Sequence, residues 1–271
     1  MTGVQTCALP ISRPSGDHDI YGPGITDSAR RLAGAGAGRG MGCRPCAGAH
    51  LSALIRVRKD KVTRLFEILR TGNPVPVTEL QYTSPFELLV AVMLSAQATD
   101  ISVNKATATL FPKTNTPAAI VKLGLSGLKR HIRHIGLFNT KARNILETCR
   151  ILMHEHHGEV PSDRDALERL PGVGRKTANV LLNVAFGQPT IAVDTHIFRV
   201  ANRTGLAPGR TVRAVEDELM RIVPEEFRRH AHHWLILHGR YVCTARRPRC
   251  GECTIRKHCQ WQMKNQHGGH A

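Results

Sequence analysis

The chain has 271 residues and a formal net charge of +17, from 38 Lys and Arg against 21 Asp and Glu, with a pI near 10.2. That length is enough to bury a real core in one large or two small domains, and the charge points to a polyanionic partner, nucleic acid before an anionic membrane surface. No apolar run approaches a membrane span, no basic amphipathic anchor stands out, and the N-terminal apolar stretch is too short for a secretion signal. A reducing, cytoplasmic setting is therefore expected, where clustered cysteines bind metal and do not pair as disulfides.

Residues 1–50 hold ten of the 24 glycines and no lysine, with a Gly/Ala tract at 33–40 and no sustained apolar period. Disorder is expected over residues 1–57. The first eleven residues, MTGVQTCALPI, resemble the translation of a sequencing-library adapter. A non-native extension is thus expected, with the natural start near Met41 or later. Cys43 and Cys46 have metal-ligand spacing but no second pair beside them, and are not read as a metal site.

From Lys59 the pattern is helical, with Val62, Leu65, Phe66 and Leu69 on one face and Gly72-Asn73-Pro74 as the stop. Ser84-Pro85-Phe86-Glu87 reads as a capping box with proline at the first helical position. The helix it opens, to about Gln97, is apolar nearly all round and belongs at the centre of a domain. Asp100 is expected to cap a helix through Leu110, and Thr116-Pro117 opens another. Residues 122–135, 141–154 and 163–169 continue the series, the last capped by Ser162. Beyond them, helices are expected from Thr195, at 212–222 and at 231–238, this last stopped by Gly239. With no convincing strand run, the class is all-α. The spacing of His230, His232, His233 and His238 on an apolar helix suits packing and capping better than a metal site, and Cys149 reads as a small core residue.

Leu170-Pro171-Gly172-Val173-Gly174 separates two helical stretches, the second marked by Ala178, Leu181, Leu182 and Ala185. Its glycines permit a tight turn and leave amides uncovered at a helix start, a nest that suits phosphate, although the same pattern also serves as plain punctuation. Arg175 and Lys176 follow in the first turn. A nucleophilic lysine needs its neutral form, and the positive end of a helix dipole disfavours the cation there. Gln188-Pro189 breaks the pattern, and residues 190–193 return the chain to Asp194, well typed to cap the next helix. A carboxylate at one helix start can thus face an amine at another; a solvated lysine and a structural cap are the plainer alternative.

Cys243, Cys250, Cys253 and Cys259 form C-x6-C-x2-C-x5-C. Four thiolates so close can wrap one tetrahedral zinc or one cubane cluster, and ligand count does not separate the two. The gap between the first two ligands carries Arg246, Arg247 and Arg249, a clamped loop suited to phosphates.

The sequences LPGVGRKTANVLLNVAFGQPTIAVDTHIFRV (170–200), SPFELLVAVMLSAQATD (84–100) and HHWLILHGRYVC (232–243) resemble the endonuclease III family of helix-hairpin-helix DNA glycosylases. The resemblance spans about residues 59–259. It implies a two-domain fold: a six-helix domain at 79–190 containing the helix-hairpin-helix (163–186), a cluster domain built from 58–78 plus 191–262, and a disordered tail at 263–271. It implies that the four cysteines hold a [4Fe–4S] cluster in a structural, DNA-positioning role. Lys176 becomes a Schiff-base nucleophile and Asp194 its electrostatic partner. Gln97 enters the duplex where the damaged nucleotide has left, and Leu137 wedges into the opposite strand. Gly172, Val173, Gly174, Arg175 and the three loop arginines grip DNA. The activity implied is removal of oxidised or ring-saturated pyrimidines and strand cutting at abasic sites, by a bacterial monomer in the cytoplasm near the nucleoid. Two rivals are a monofunctional adenine glycosylase, whose branch lacks the lysine and carries an extra C-terminal domain, and a non-catalytic iron–sulfur DNA-binding module. A zinc-bound DNA-binding protein is a third.

Overall fold

The computed structural model describes residues 47–266, with side chains from Lys59 onward. Cys43, Cys46 and the adapter-like start lie outside that range. Ten α-helices and two 3-10 turns occupy the described residues, and no strand is found among them.

Helix α1 (Ala47–Gly72) begins before the expected boundary, so residues 47–57, expected to be disordered, are helical. The stretch AGAHLSALIRV has no proline, and a helix nucleated further along extends backward at the cost of one residue per hydrogen bond gained. Gly72-Asn73-Pro74 ends it as expected. Helix α2 (Pro85–Ser95) starts at Ser84, whose hydroxyl accepts the Glu87 amide at 3.2 Å. The Glu87 carboxylate reaches back one residue further than a capping box requires, to the Thr83 amide at 2.6 Å and hydroxyl at 2.8 Å. From Phe86 to Leu94 every residue of α2 is buried.

Helix α3 (Asp100–Leu110) is capped by Thr99, not by the expected Asp100; the Thr99 hydroxyl accepts the Ser102 amide at 3.3 Å. Asp100 is drawn away by a stronger partner, Arg240, because an ion-paired carboxylate gains more than a cap does. Helix α4 (Pro117–Ile132) opens at Thr116 and breaks at Gly124, whose φ of 73° and ψ of 172° are not helical. Helices α5 (Phe138–Glu155) and α6 (Arg164–Glu168) follow, α6 capped by Asp163 rather than Ser162, with the carboxylate 2.8 Å from the Ala166 amide. A negative charge also suits a helix start. Helix α7 (Arg175–Val184) leads to α8 (Thr195–Thr204), α9 (Val212–Ile222) and α10 (Glu225–Tyr241).

Helix α10 runs through Gly239, which therefore is not a stop. A Cβ there would lie 2.9 Å from the Cβ and 3.1 Å from the carbonyl oxygen of His196, so glycine serves the close approach of α8 and α10.

Two hydrophobic cores result. One surrounds α2 with residues of α3 to α7, among them Leu88, Leu94, Ile120, Ile145 and Leu181; the other joins α1 to α8, α9 and α10 and takes in Ile255. Phe66 stacks on Phe227 at 5.7 Å in the second, and Trp234 beside them donates its ring N–H to the Asn73 carbonyl at 2.7 Å. Burial of apolar area at roughly 25 cal/mol per Å² is the main stabilising term in both. The chain ends in 3-10 turns at Arg256–His258 and Gln262–Asn265. Residues 263–266, expected in a disordered tail, are thus ordered against the cluster loop, with the Lys264 amine donating to the Cys259 carbonyl; residues 267–271 lie outside the described range. No helix among the described residues is long and apolar enough to cross a membrane.

Candidate active site and cluster loop

The hairpin between α6 and α7 is held from both sides. Gly172 has φ +79°, and a Cβ on it would stand 2.7 Å from the Asn144 amide nitrogen of α5. The Thr148 hydroxyl donates to the Pro171 carbonyl at 3.1 Å, and the Val173 amide to Leu170 at 3.0 Å. Val173 therefore anchors the turn with a buried side chain and a spent amide. Gly174 is the N-cap of α7 and offers no side chain to it, so the first amides of α7 lack a side-chain cap.

Arg175, expected to grip DNA, is also held within the protein. Its guanidinium binds Glu216 of α9 in a fork, Nε at 2.9 Å and Nη2 at 2.7 Å from Oε1, with Glu168 at 3.8 Å. Glu216 is buried, and a buried carboxylate takes the nearest guanidinium. Arg175 thereby pins the hairpin to the second core.

Lys176 is the second residue of α7 and is exposed at its backbone turn. Its side chain lines a cleft with Leu80, Val92, Ser95, Asp100, His232 and Arg240, walls drawn from both cores. Asp194 caps α8, Oδ1 accepting the Ile197 amide at 2.8 Å. Two further titratable groups in the cleft wall, His232 and His233, are buried and held neutral: burial first, and then each one's charged neighbours, push His232 down to about 3 and His233 to about 4. Lys176 is among the neighbours that lower His232, while a hydrogen bond to the Ala192 backbone works the other way.

Sequence reasoning missed the polar network at the cleft mouth. The Arg240 guanidinium binds Asp100 at 2.5 Å and also Glu79, and the Tyr241 hydroxyl donates to Glu79. Burial acts to raise the Glu79 carboxyl, but Tyr241 and Arg240 outweigh it and hold it low. The network latches the end of α10 to the start of α3 and the segment before α2. Its only sequence signal was two charged residues, Asp100 and Arg240, inside the family-like segments.

Gln97 and Leu137 share an unusual backbone. Both lie in the left-handed region, φ 57° and 59°, and both are exposed, Leu137 at 63%. Strain of this kind in a non-glycine residue costs about 1–3 kcal/mol and persists where the surroundings enforce it. Gly136, beside Leu137, lies against the Gln97 loop: a Cβ on it would stand 4.0 Å from the Gln97 carbonyl oxygen.

Cys243, Cys250, Cys253 and Cys259 line one pocket with Arg203, His238 and Trp261, and none is in a disulfide. Among the described residues no three His, Cys, Asp or Glu side chains converge tightly enough for a single metal ion. Four thiols lining one pocket are the donor set of a multi-iron cluster and equally of a tetrahedral zinc ion. Burial raises the thiols of Cys253, to about 11, and of Cys250. The Arg203 guanidinium 3.6 Å from the Cys243 sulfur, and the Trp261 amide 3.5 Å from that of Cys259, are N–H donors suited to sulfur ligands. Between the first two ligands Arg246, Arg247 and Arg249 are exposed, and the Thr244 hydroxyl bonds the Arg247 carbonyl at 2.6 Å, closing the loop on itself.

An uncapped glycine hairpin, a cleft lysine just beyond it and a four-cysteine pocket on one helical frame define a helix-hairpin-helix protein with an iron–sulfur loop. Residues 90–225 match the HhH-GPD superfamily of base excision DNA repair proteins, and residues 243–259 the iron-sulfur binding domain of endonuclease III. Endonuclease III of Escherichia coli (strain K12) is 62% identical over 208 residues, 77% of this chain and 99% of its own length. That of Treponema pallidum (strain Nichols) is 58% identical over 198 residues, 73% and 94%. A solved trapped endonuclease III–DNA covalent intermediate superposes with a TM-score of 0.72 at 45% identity, over 77% of this chain and 98% of that one. The chain belongs to the endonuclease III family, and its cofactor is a [4Fe–4S] cluster.

Proposed function

We propose that this chain acts in base excision repair as a DNA glycosylase and abasic-site lyase on duplex DNA, with Lys176 as nucleophile. One observation carries the assignment of roles: Lys176 follows directly on the uncapped hairpin and lines the cleft between the two cores. The hairpin, through Gly172 and Gly174, and the exposed loop of Arg246, Arg247 and Arg249 bind phosphates on either side of the lesion. Val173 and Arg175 serve this grip by holding the turn. The damaged nucleotide leaves the stack for the cleft; Gln97 takes its place in the duplex and Leu137 wedges the opposite strand.

In the cleft the Lys176 amine attacks C1′ of the sugar while the glycosidic bond breaks and the base leaves with the bonding pair. Asp194 offsets the positive charge that develops on the sugar and helps the amine shed its proton. Ring opening gives the Schiff base, and loss of a C2′ proton expels the 3′ phosphate by β-elimination. His232, buried and neutral beside Lys176, adds no competing cation. The cluster, held by Cys243, Cys250, Cys253 and Cys259, supplies no step of this chemistry; it orders the arginine loop.

The substrates proposed are oxidised or ring-saturated pyrimidines and bare abasic sites. The enzyme works as a monomer in the bacterial cytoplasm beside the nucleoid. The two cores correspond to two domains, 79–190 and 58–78 plus 191–262, each supplying one wall of the cleft. The test is borohydride trapping on a duplex with an abasic site, wild type against Lys176→Ala. A covalent adduct that disappears in the variant is expected; no adduct from cluster-loaded wild type would sink the lyase assignment in favour of a monofunctional glycosylase.

A further inference from the structure

Lys141 is a buried lysine on the first turn of α5, 7% exposed, with no carboxylate partner among the described residues. Its amine donates to two main-chain carbonyls, Leu94 at 2.8 Å and Ala96 at 2.6 Å. Those oxygens lie at the C-terminal end of α2, where carbonyls lack helical partners and the dipole is negative. Burial pushes the amine below its ordinary range, so the site costs energy that an apolar side chain would not. What it joins is specific. Ala96 directly precedes Gln97, and the Lys141 amide itself bonds the carbonyl of Leu137 at 3.0 Å. One residue thus bonds the backbone on both sides of the gap between the two left-handed positions, through its side chain to one and its main chain to the other.

We propose that Lys141 is a positioning residue that registers the Gln97 loop against the Leu137 loop, so that both side chains meet the duplex as a unit. The inference rests on the reading that these two residues enter DNA. A salt-bridged lysine would respond to a carboxylate; the carbonyls of Leu94 and Ala96 report only the position of the α2 end from which the Gln97 loop departs. Removing the amine leaves two carbonyls at the end of α2 without this donor, and the strained backbone at Gln97 relaxes.

The experiment is a set of affinities for a duplex bearing a tetrahydrofuran abasic analogue and for the same duplex undamaged. A 2-aminopurine base opposite the analogue reports unstacking. Lys141→Met, with Lys141→Gln as a milder second variant, is measured alone and on the Gln97→Ala and Leu137→Ala backgrounds. The expected result is a roughly tenfold loss of selectivity for the analogue, a smaller 2-aminopurine signal, unchanged affinity for undamaged DNA, and little further loss on either background. A merely structural lysine would lower the melting temperature and leave selectivity intact in the folded variants, or lose it additively with Gln97→Ala. Either result overturns the proposal. If Gln97→Ala and Leu137→Ala themselves leave selectivity unchanged, the duplex-entry reading has failed, and this inference with it.

Discussion

Arg199 donates its Nε to the carbonyl oxygen of Cys243 at 2.8 Å, and its Nη2 to that of Gly239 at 2.7 Å. One helix, α8, therefore carries Asp194 at its start and, along its length, the arginines that hold the first cluster ligand. Arg203 continues the series, bonding the Thr244 carbonyl at 2.7 Å and the Ala245 carbonyl at 2.8 Å with its guanidinium 4.3 Å over the Trp261 ring. Replacing Arg199 by Met removes the charge-assisted bonds from two carbonyls at a cost of about 2–3 kcal/mol. Arg199→Met is expected to lower both the melting temperature and the iron content per chain, read by calorimetry and by visible absorbance. Full iron content and unchanged melting would show that α8 does not brace the loop.

Gly172→Ala meets two penalties, a left-handed backbone and the Asn144 side chain at 2.7 Å. The backbone term alone is about 1–2 kcal/mol. The variant is expected to fold and to bind an abasic-site duplex roughly tenfold more weakly by fluorescence anisotropy, because the turn that presents the α7 amides is displaced.

The arginine loop acts through phosphate charge. The ion pair that Arg249 makes with Glu252, beyond the second ligand, at 3.9 Å is exposed and weak. Neutralising Arg246, Arg247 and Arg249 together is expected to reduce the slope of log affinity against log salt by about 0.9 for each phosphate that the loop neutralises in the wild type. Damaged and undamaged duplexes should lose affinity alike, and cluster absorbance should not change. A variant with the wild-type salt slope would remove this loop from the interface.

His232 and His233 set an acid limit on stability. Burial holds them down to about 3 and about 4 in the fold, against about 6.5 in the unfolded chain. The unfolded state thus binds more protons between those values. Stability is full above about pH 6.5 and falls with pH through that window, by about 1.4 kcal/mol per unit for each histidine. Melting temperature followed by circular dichroism should decline from pH 6.5 to 5, above the titration of most carboxylates, and His233→Leu should decline less steeply. A flat profile in wild type would contradict the burial.

Much of the site was legible because its signals are local. The cap at Asp194, the hairpin glycines, Lys176 in the first turn of α7 and the cysteine spacing each depend on residues within a few positions of one another. The misread features share the opposite property. Asp100 reads as a cap because nothing near it announces Arg240, and the pairing of Arg175 with Glu216 has no local signal because Glu216 lies on another helix. Gly239 resembled a helix stop until α8 was packed against it. The early start of α1 at Ala47 differs again: composition argued for disorder, and propagation from a stable helix overrode it.

The sequence by itself determined the elements, the class of chemistry and the atoms available for it, since turns, caps and ligand spacings are set by covalent neighbours. Tertiary structure alone decided which charges are spent and which are offered. Ion pairs and buried hydrogen bonds form only at about 3 Å, between groups the chain order leaves far apart. Packing two cores against each other therefore committed Arg175 to Glu216, Arg240 to Asp100 and Lys141 to the end of α2. It left Lys176 in the cleft between them.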